Sequence, residues 1–312
     1  MQSSSFTLRA RDGVEVTVHC WRPDGEVKAT LQIVHGMAEH GARYARFAEA
    51  ATARGFAVYA DDHRGHGKTA ADADTGFFAA AHGWRAVLDD LYRLSDHIVG
   101  EHSGVPRAIF GHSMGSFFTQ QMLFERGEPY AAAVLSGSSS GVANPLAPIG
   151  RLVARIERAR LGPRGRSALL TKLSFGHFNN AFKPARTDFD WLSRDPAEVD
   201  RYLADPRCGF EVTTQLWIDL LDALPGLAAP ENLAKVPRSL PILVVSGALD
   251  PIHTGQKGLR RLVADYAKSG HDRVTLKTYP GARHELVNET NRDEISRDIL
   301  DWVESNFGAA GR

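Results

Sequence analysis

The chain has 312 residues, 43% hydrophobic and 24% charged, and its 37 Lys and Arg balance its 37 Asp and Glu. That balance excludes a global field favouring nucleic acid or an anionic membrane, and no apolar run approaches the roughly 18 residues that span a bilayer. A chain of this size buries about 75% of its unfolded surface, so its core needs neither disulfides nor metals.

Its two cysteines, Cys20 and Cys208, lie far apart in sequence, and residues 1–6 lack the charged and apolar regions of a secretion signal. The expectation is a soluble, cytoplasmic protein. Residues 5–22 alternate like a hairpin, with Phe6, Leu8, Val14, Val16 and Val18 on one face and Asp12-Gly13 at the turn. A strand at 30–34 runs into His35-Gly36-Met37-Ala38-Glu39-His40, a helix fits 44–54, and a buried strand at 57–60 ends in Asp62-His63-Arg64-Gly65-His66-Gly67. Val87, Leu88, Leu91, Leu94 and Ile98 carry helical spacing over 84–99.

Next comes an apolar run, 107–110, then Gly111-His112-Ser113-Met114-Gly115, then a helical stretch over 116–124. Strand, tight turn and helix around G-x-S-x-G are the context of a nucleophile elbow. The serine of such a turn is held at strained dihedrals, and a Cβ at Gly111 or Gly115 would collide with the turn. A further strand fits 131–136, and the short run from 136 to 141 reads as a loop. Between 138 and 237 no buried strand is expected; helical patterns and loops take over. The alternation resumes with a strand at 241–246, a helix at 259–266, a strand at 274–279 and a last amphipathic helix at 294–307. This order predicts an α/β fold with a mostly parallel sheet and right-handed crossovers. Residues 1–137 and 238–312 form its core, and 138–237 a helical cap over the strand ends where ligands bind.

A serine hydroxyl needs a base, and the base needs an orienting acid. Asp250 follows the strand at 241–246, and His284 follows the strand at 274–279. The chain order Ser113, Asp250, His284 is that of this fold's catalytic triads. Backbone N–H groups of Met114 and Met37 are the expected oxyanion donors, with Gly36 letting the second turn toward the site.

Together these motifs resemble the serine α/β-hydrolases of the lysophospholipase and monoglyceride lipase type, in motif order from about residue 6 to residue 307. The resemblance implies an eight-stranded sheet flanked by helices, an inserted cap, and hydrolysis of acyl esters such as monoglycerides or lysophospholipids. It carries over Ser113, Asp250 and His284 as the triad and Met37 and Met114 as oxyanion donors. One departure is Thr69, where the family usually has serine.

Several signals are set aside. Gly67-Lys68-Thr69 mimics a phosphate loop, but Asp62 stands where its first glycine is required. His35, His40, His63 and His66 find no neighbouring carboxylate or thiolate to complete a ligand set, so neither metal nor cofactor is expected. Ile149, Leu152, Val153 and Ile156 share a face opposite arginines; the helix is read as a lid packed on the domain, with a lipid-surface helix as the alternative. Phe175, Phe178, Phe182, Phe189, Trp191 and Trp217 line an acyl pocket or form the cap's own small core.

The reading is a serine esterase acting through an acyl-enzyme on a small acyl ester or lipid, with at most peripheral membrane contact through the cap. Rival readings are a small-substrate peptidase or amidase of the same fold, and a ligand-sensing binding protein. A dehalogenase is excluded, because that chemistry puts aspartate where Ser113 stands.

Overall fold

Short runs of Val, Ile, Leu and Ala pair into one eight-stranded sheet in the computed structural model, which describes residues 1–140, 147–253 and 256–307. The strands are β1 (Gln2–Arg9), β2 (Glu15–Arg22), β3 (Ala29–Val34), β4 (Phe56–Asp61), β5 (Arg107–His112), β6 (Ala132–Ser136), β7 (Ile242–Gly247) and β8 (Val274–Tyr279). Their order is β1-β2-β4-β3-β5-β6-β7-β8. The hairpin β1–β2 is antiparallel, with Phe6 opposite Val18 and Leu8 opposite Val16, and β2 pairs antiparallel with β4. From β4 to β8 every pairing is parallel.

Strands β3 to β7 are buried along their whole length because helices cover both faces. One face carries α1 (Ala45–Thr52) and, from the far end of the chain, the helix Arg292–Asn306; Phe47, Ile295, Ile299 and Val303 pack there on Leu31, Ile33, Phe110 and Val245. The opposite face carries α2 (Gly83–Glu101), α3 (Met114–Arg126) and the helix Lys257–Lys268, whose Leu88, Phe118 and Leu262 meet Val34, Ile109, Leu135 and Val244. Odd and even residues of each strand thus feed different layers, as strand pleating requires.

Between β6 and β7 the chain forms α4 (Ala147–Leu161), α5 (Ala168–Phe175), α6 (Pro196–Ala204), α7 (Thr214–Leu227) and the single turn α8 (Pro230–Leu233). The last two long helices of the chain are then α9 (Lys257–Lys268) and α10 (Arg292–Asn306). Ser167, Asp195 and Thr213 each accept a backbone N–H at a helix start, which fixes where α5, α6 and α7 begin. The expected loop after β6 is described as far as Ser140; Gly141 lies outside the described residues.

The insertion is fastened to the core in two ways. Leu216, Trp217 and Leu220 of α7 join the main core, whereas Phe178, Trp191, Leu192 and Tyr202 form a separate cluster with Phe175, Phe182 and Phe189 against it. Helix α4 lies the other way round from the sequence expectation. Ile149, Leu152 and Ile156 are 56–59% exposed, while Ala154 is buried and Val153 packs on the core. Arg155 pairs with Asp222 and Arg158 with Gln215 on α7, so these arginines edge the buried side instead of opposing it. Leu169 and Leu173 of α5 extend the exposed apolar face. Among the described residues no helix is long and apolar enough to cross a membrane.

Candidate active site

The parallel register brings the C-terminal ends of β3, β5, β6, β7 and β8 to one rim, and the loops leaving that rim build the site. Ser113 stands between β5 and α3 with φ 52° and ψ −122°, a conformation costly for a residue with a side chain. Its N–H donates to Ser136 O at 2.9 Å, and its carbonyl accepts from Ser116 N and Oγ. A Cβ at Gly111 would run into Thr119 Oγ1, and one at Gly115 into the carbonyls of Val34 and His35, so the elbow tolerates only glycine on either side.

Asp250 and His284 meet at this rim. His284 Nδ1 donates to Asp250 Oδ2 at 2.9 Å, and Asp250 also accepts from Ser246 Oγ and Ile252 N, each at 3.0 Å. Both residues are buried. Burial alone would push the aspartate up, but the His284 charge and hydrogen bond hold it down at about 2. Burial would lower the imidazole; attraction to Asp250, then to Glu285 and Glu39, outweighs it and lifts the ring above 6.5.

Ser113 Oγ is not hydrogen-bonded to His284 in this structure; the two are neighbours through His112 and two glycines. The His112 and His284 rings lie 4.5 Å apart between centroids. A Cβ at Gly36 would lie 3.2 Å from Ser113 Cβ and 3.4 Å from His112 Cδ2, and one at Gly137 would lie 2.7 Å from His284 Cε1 and 3.1 Å from His112 Cε1. Catalytic hydrogen bonds often tighten only with substrate in place. Burial, then repulsion from His284, holds His112 down at about 4, so the second imidazole of the pair is neutral.

Met114 follows Ser113 directly, and Met37 follows Gly36, where a Cβ would lie 3.2 Å from Ser113 Cβ. Neither backbone N–H donates to another group among the described residues, and Met114 opens α3, where the free N–H groups of a helix start collect. The loop holding Met37 is fixed from beneath. His63 N donates to His35 Nε2 at 3.0 Å, so His35 Nδ1 carries the proton and donates to Gly36 O at 2.7 Å. Gly36 N donates to Glu39 Oε1 at 2.6 Å. Three of the four histidines of these turns, His35, His63 and His66, bond loop carbonyls, and the fourth, His40, reaches Asp205 of the insertion.

Three parts of the site have no local signal in the sequence. Glu39 accepts from Tyr44 OH and Arg43, and Arg43 also reaches Glu285, next to His284. Trp191 packs on His284 with 5.0 Å between ring centroids. Residues 190–194 strap the histidine loop: His284 N donates to Trp191 O and Glu285 N to Leu192 O, Arg283 bonds the carbonyls of Asp190 and Ser193, and Arg194 pairs with Glu289. A cavity of about 730 Å³ lies elsewhere, between α2, α4 and α7; Arg155, Arg158, Asp219 and Asp222 line it, and none of the residues around Ser113 does.

Comparison with known proteins places these features in a family. The family described as serine aminopeptidase, S33, matches residues 25–291. The chain is 30% identical over 306 residues to a monoacylglycerol lipase of Mycolicibacterium smegmatis, covering 97% of this chain and 98% of that one. It is 29% identical over 305 residues to a monoglyceride lipase of Homo sapiens, covering 96% and 90%. Among solved structures, a thermostable carboxyl esterase from Bacillus coagulans superposes with a TM-score of 0.89 at 26% identity, over 98% of this chain and 99% of that one.

Proposed function

The chain belongs to the serine aminopeptidase S33 family of α/β-hydrolases and is a serine hydrolase of the lipase and esterase kind, and from that premise we propose that it cleaves monoacylglycerols, lysophospholipids or similar acyl esters with a Ser113–His284–Asp250 triad. The observation that carries the reading is the buried 2.9 Å bond from His284 Nδ1 to Asp250 Oδ2, on the rim where Ser113 leaves β5.

Asp250 accepts from Nδ1, which leaves His284 Nε2 unprotonated and able to take the Ser113 proton. Ser113 Oγ attacks the ester carbonyl, and the Met37 and Met114 N–H groups hold the oxyanion, each such donor contributing about 10²–10³ in kcat. The imidazolium returns its proton to the departing alcohol. Water then deacylates Ser113 along the reverse proton path. These steps draw on no metal or cofactor.

Residues 1–137 and 238–312 act as the hydrolase core and 138–237 as its cap. The cap's exposed Ile149, Leu152, Ile156, Leu169 and Leu173 support peripheral contact with the lipid surface that holds the substrate. Cys20 and Cys208 stand as free thiols, which supports a cytoplasmic setting.

Ser113→Ala should abolish turnover of p-nitrophenyl esters and of monoacylglycerol while leaving the fold intact; unchanged turnover would overturn the assignment. The family description favours one second reading, an aminopeptidase. Aminoacyl-amide turnover exceeding ester turnover would favour it, and a fluorophosphonate probe that leaves Ser113 unlabelled would favour a binding protein.

A further inference from the structure

His40, Asp205 and Cys208 form a cluster that hydrolysis does not use. Their donor atoms lie within 4.8 Å of one another, and His40 Nε2 is 2.9 Å from Asp205 Oδ2. Read in sequence alone, His40 has no carboxylate or thiolate beside it; the fold supplies both, from 165 and 168 residues further along the chain. Asp205 and Cys208 share one tight turn at the end of α6, in which Cys208 N donates to Asp205 O at 3.0 Å and Arg207 N to Asp205 Oδ1 at 2.9 Å. Two ligands separated by two residues on a turn are the spacing by which structural zinc sites present donors.

The donor set is one imidazole nitrogen, one carboxylate oxygen and one sulfur. Calcium and magnesium take oxygen ligands, so this set selects a zinc-class ion. His40 is buried and Cys208 partly buried, while the Asp205 side chain is 28% exposed, which leaves a way in and room for water as a fourth ligand. The positive charges nearby are already held. Arg207 lies toward Asp205 Oδ1, leaving Oδ2 to the ion, and Arg43 is bound by Glu39 and Glu285.

We propose that His40, Asp205 and Cys208 bind one zinc-class divalent cation at the seam between the loop after β3 and the insertion. Binding places the ion where His40 and Asp205 now share a proton. The one ring proton of neutral His40, which now bonds Asp205 Oδ2 from Nε2, passes to Nδ1 through solvent, and Cys208 Sγ loses its proton to solvent, so one proton leaves per ion bound. The ion fastens the 205–209 turn onto the loop that carries Met37. Gly209 N and Tyr202 OH already hold that loop through Ala38 O, each at 3.0 Å.

The test is a Co²⁺ titration of the chelator-stripped full chain, followed by displacement with Zn²⁺. Expected are a sulfur-to-cobalt charge-transfer band and tetrahedral visible bands saturating at one ion per chain, and release of one proton. The charge-transfer band should vanish in Cys208→Ser and persist in Cys20→Ser, since Cys20 is buried in the sheet. Asp205→Asn keeps the thiol and the fold, and should weaken Zn²⁺ binding at least about tenfold. No band, a band that survives Cys208→Ser, or unchanged Zn²⁺ affinity in Asp205→Asn overturns the proposal. None of these readouts depends on ester hydrolysis.

Discussion

Arg43 grips Glu285 through both arms of its guanidinium, with Nη1 at 2.6 Å from Oε1 and Nη2 at 2.7 Å from Oε2. The same Nη1 reaches Glu39 at 2.8 Å, and Glu39 holds the Gly36 N–H. One cation therefore ties the loop after β3 to the loop after β8, and all three side chains are nearly enclosed. Removing the cation leaves two buried carboxylates facing each other. Arg43→Met should cost about 3–5 kcal/mol of stability, the penalty of stranding buried charge, read as a lowered urea midpoint at unchanged slope.

Gly137 leaves no room for a methyl group. Its φ is +56°, and a Cβ there would lie 2.7 Å from His284 Cε1 and 2.9 Å from Nδ1. Gly137→Ala should displace the ring and lower kcat about 10²-fold, the effect of misplacing a reacting group by about 1 Å. Steady-state kinetics, with circular dichroism to verify the fold, separate this from simple unfolding.

The proposed mechanism needs a neutral His284, and Asp250 lifts that ring above 6.5. Ester kcat/KM should therefore rise with pH along a limb centred above 6.5. In Asp250→Asn the largest attraction is gone, and burial, which lowers the ring, is opposed only by the weaker pull of Glu285 and Glu39. The limb should shift to lower pH while the rate falls by about 10⁴; a limb that stays in place would contradict the assigned pairing.

Asp219 is a carboxylate under strain of a different kind. Among the described residues its Oδ2 has no hydrogen-bond partner, and burial, with Asp222 adding to it, pushes the group up to about 6 from 3.8. Between those values the unfolded chain has lost the proton that the native state retains, so the penalty grows across that window and is full above it. Asp219→Asn should raise the melting temperature at pH 8 and leave it unchanged at pH values below about 3.8. Calorimetry at the two pH values checks the sign.

Leu152 and Ile156 are 59% and 56% exposed on one face of α4. Burying such side chains in an acyl layer gains about 1.5–3 kcal/mol each when complete. The double variant Leu152→Glu and Ile156→Glu should weaken sedimentation with neutral lipid vesicles at least tenfold, with hydrolysis of a soluble short-chain ester unchanged.

Much of this architecture is written locally. Runs such as 57–60 and 242–245 carry no charged residue and are buried throughout because both faces of their strands are covered, and the spacing of Val87, Leu88, Leu91 and Leu94 fixes α2. Gly111, Ser113 and Gly115 are legible because a tight turn leaves no other choice. Asp250 and His284 stand out as candidates because each lies in the loop after a strand, and they meet in a hydrogen bond. Contacts between distant residues leave no such trace. Arg43 and Glu285 are 242 residues apart, and nothing near either announces the other. Periodicity also failed to orient α4, since Ala154 and Val153 bury as well as leucine does when α7 approaches closely. In that case shape complementarity, not side-chain polarity, decides which face turns inward.

The strap from Asp190 to Arg194 makes the backbone of His284 and its neighbours part of the same body as that flank of the insertion. Leverage applied there would drag the imidazole off its carboxylate, so this side of the mouth has to stay shut. Movement of the insertion that spares this alignment belongs to segments outside the strap, such as α4, which packs on α7. Substitutions on α4 leave the bond between His284 and Asp250 in place.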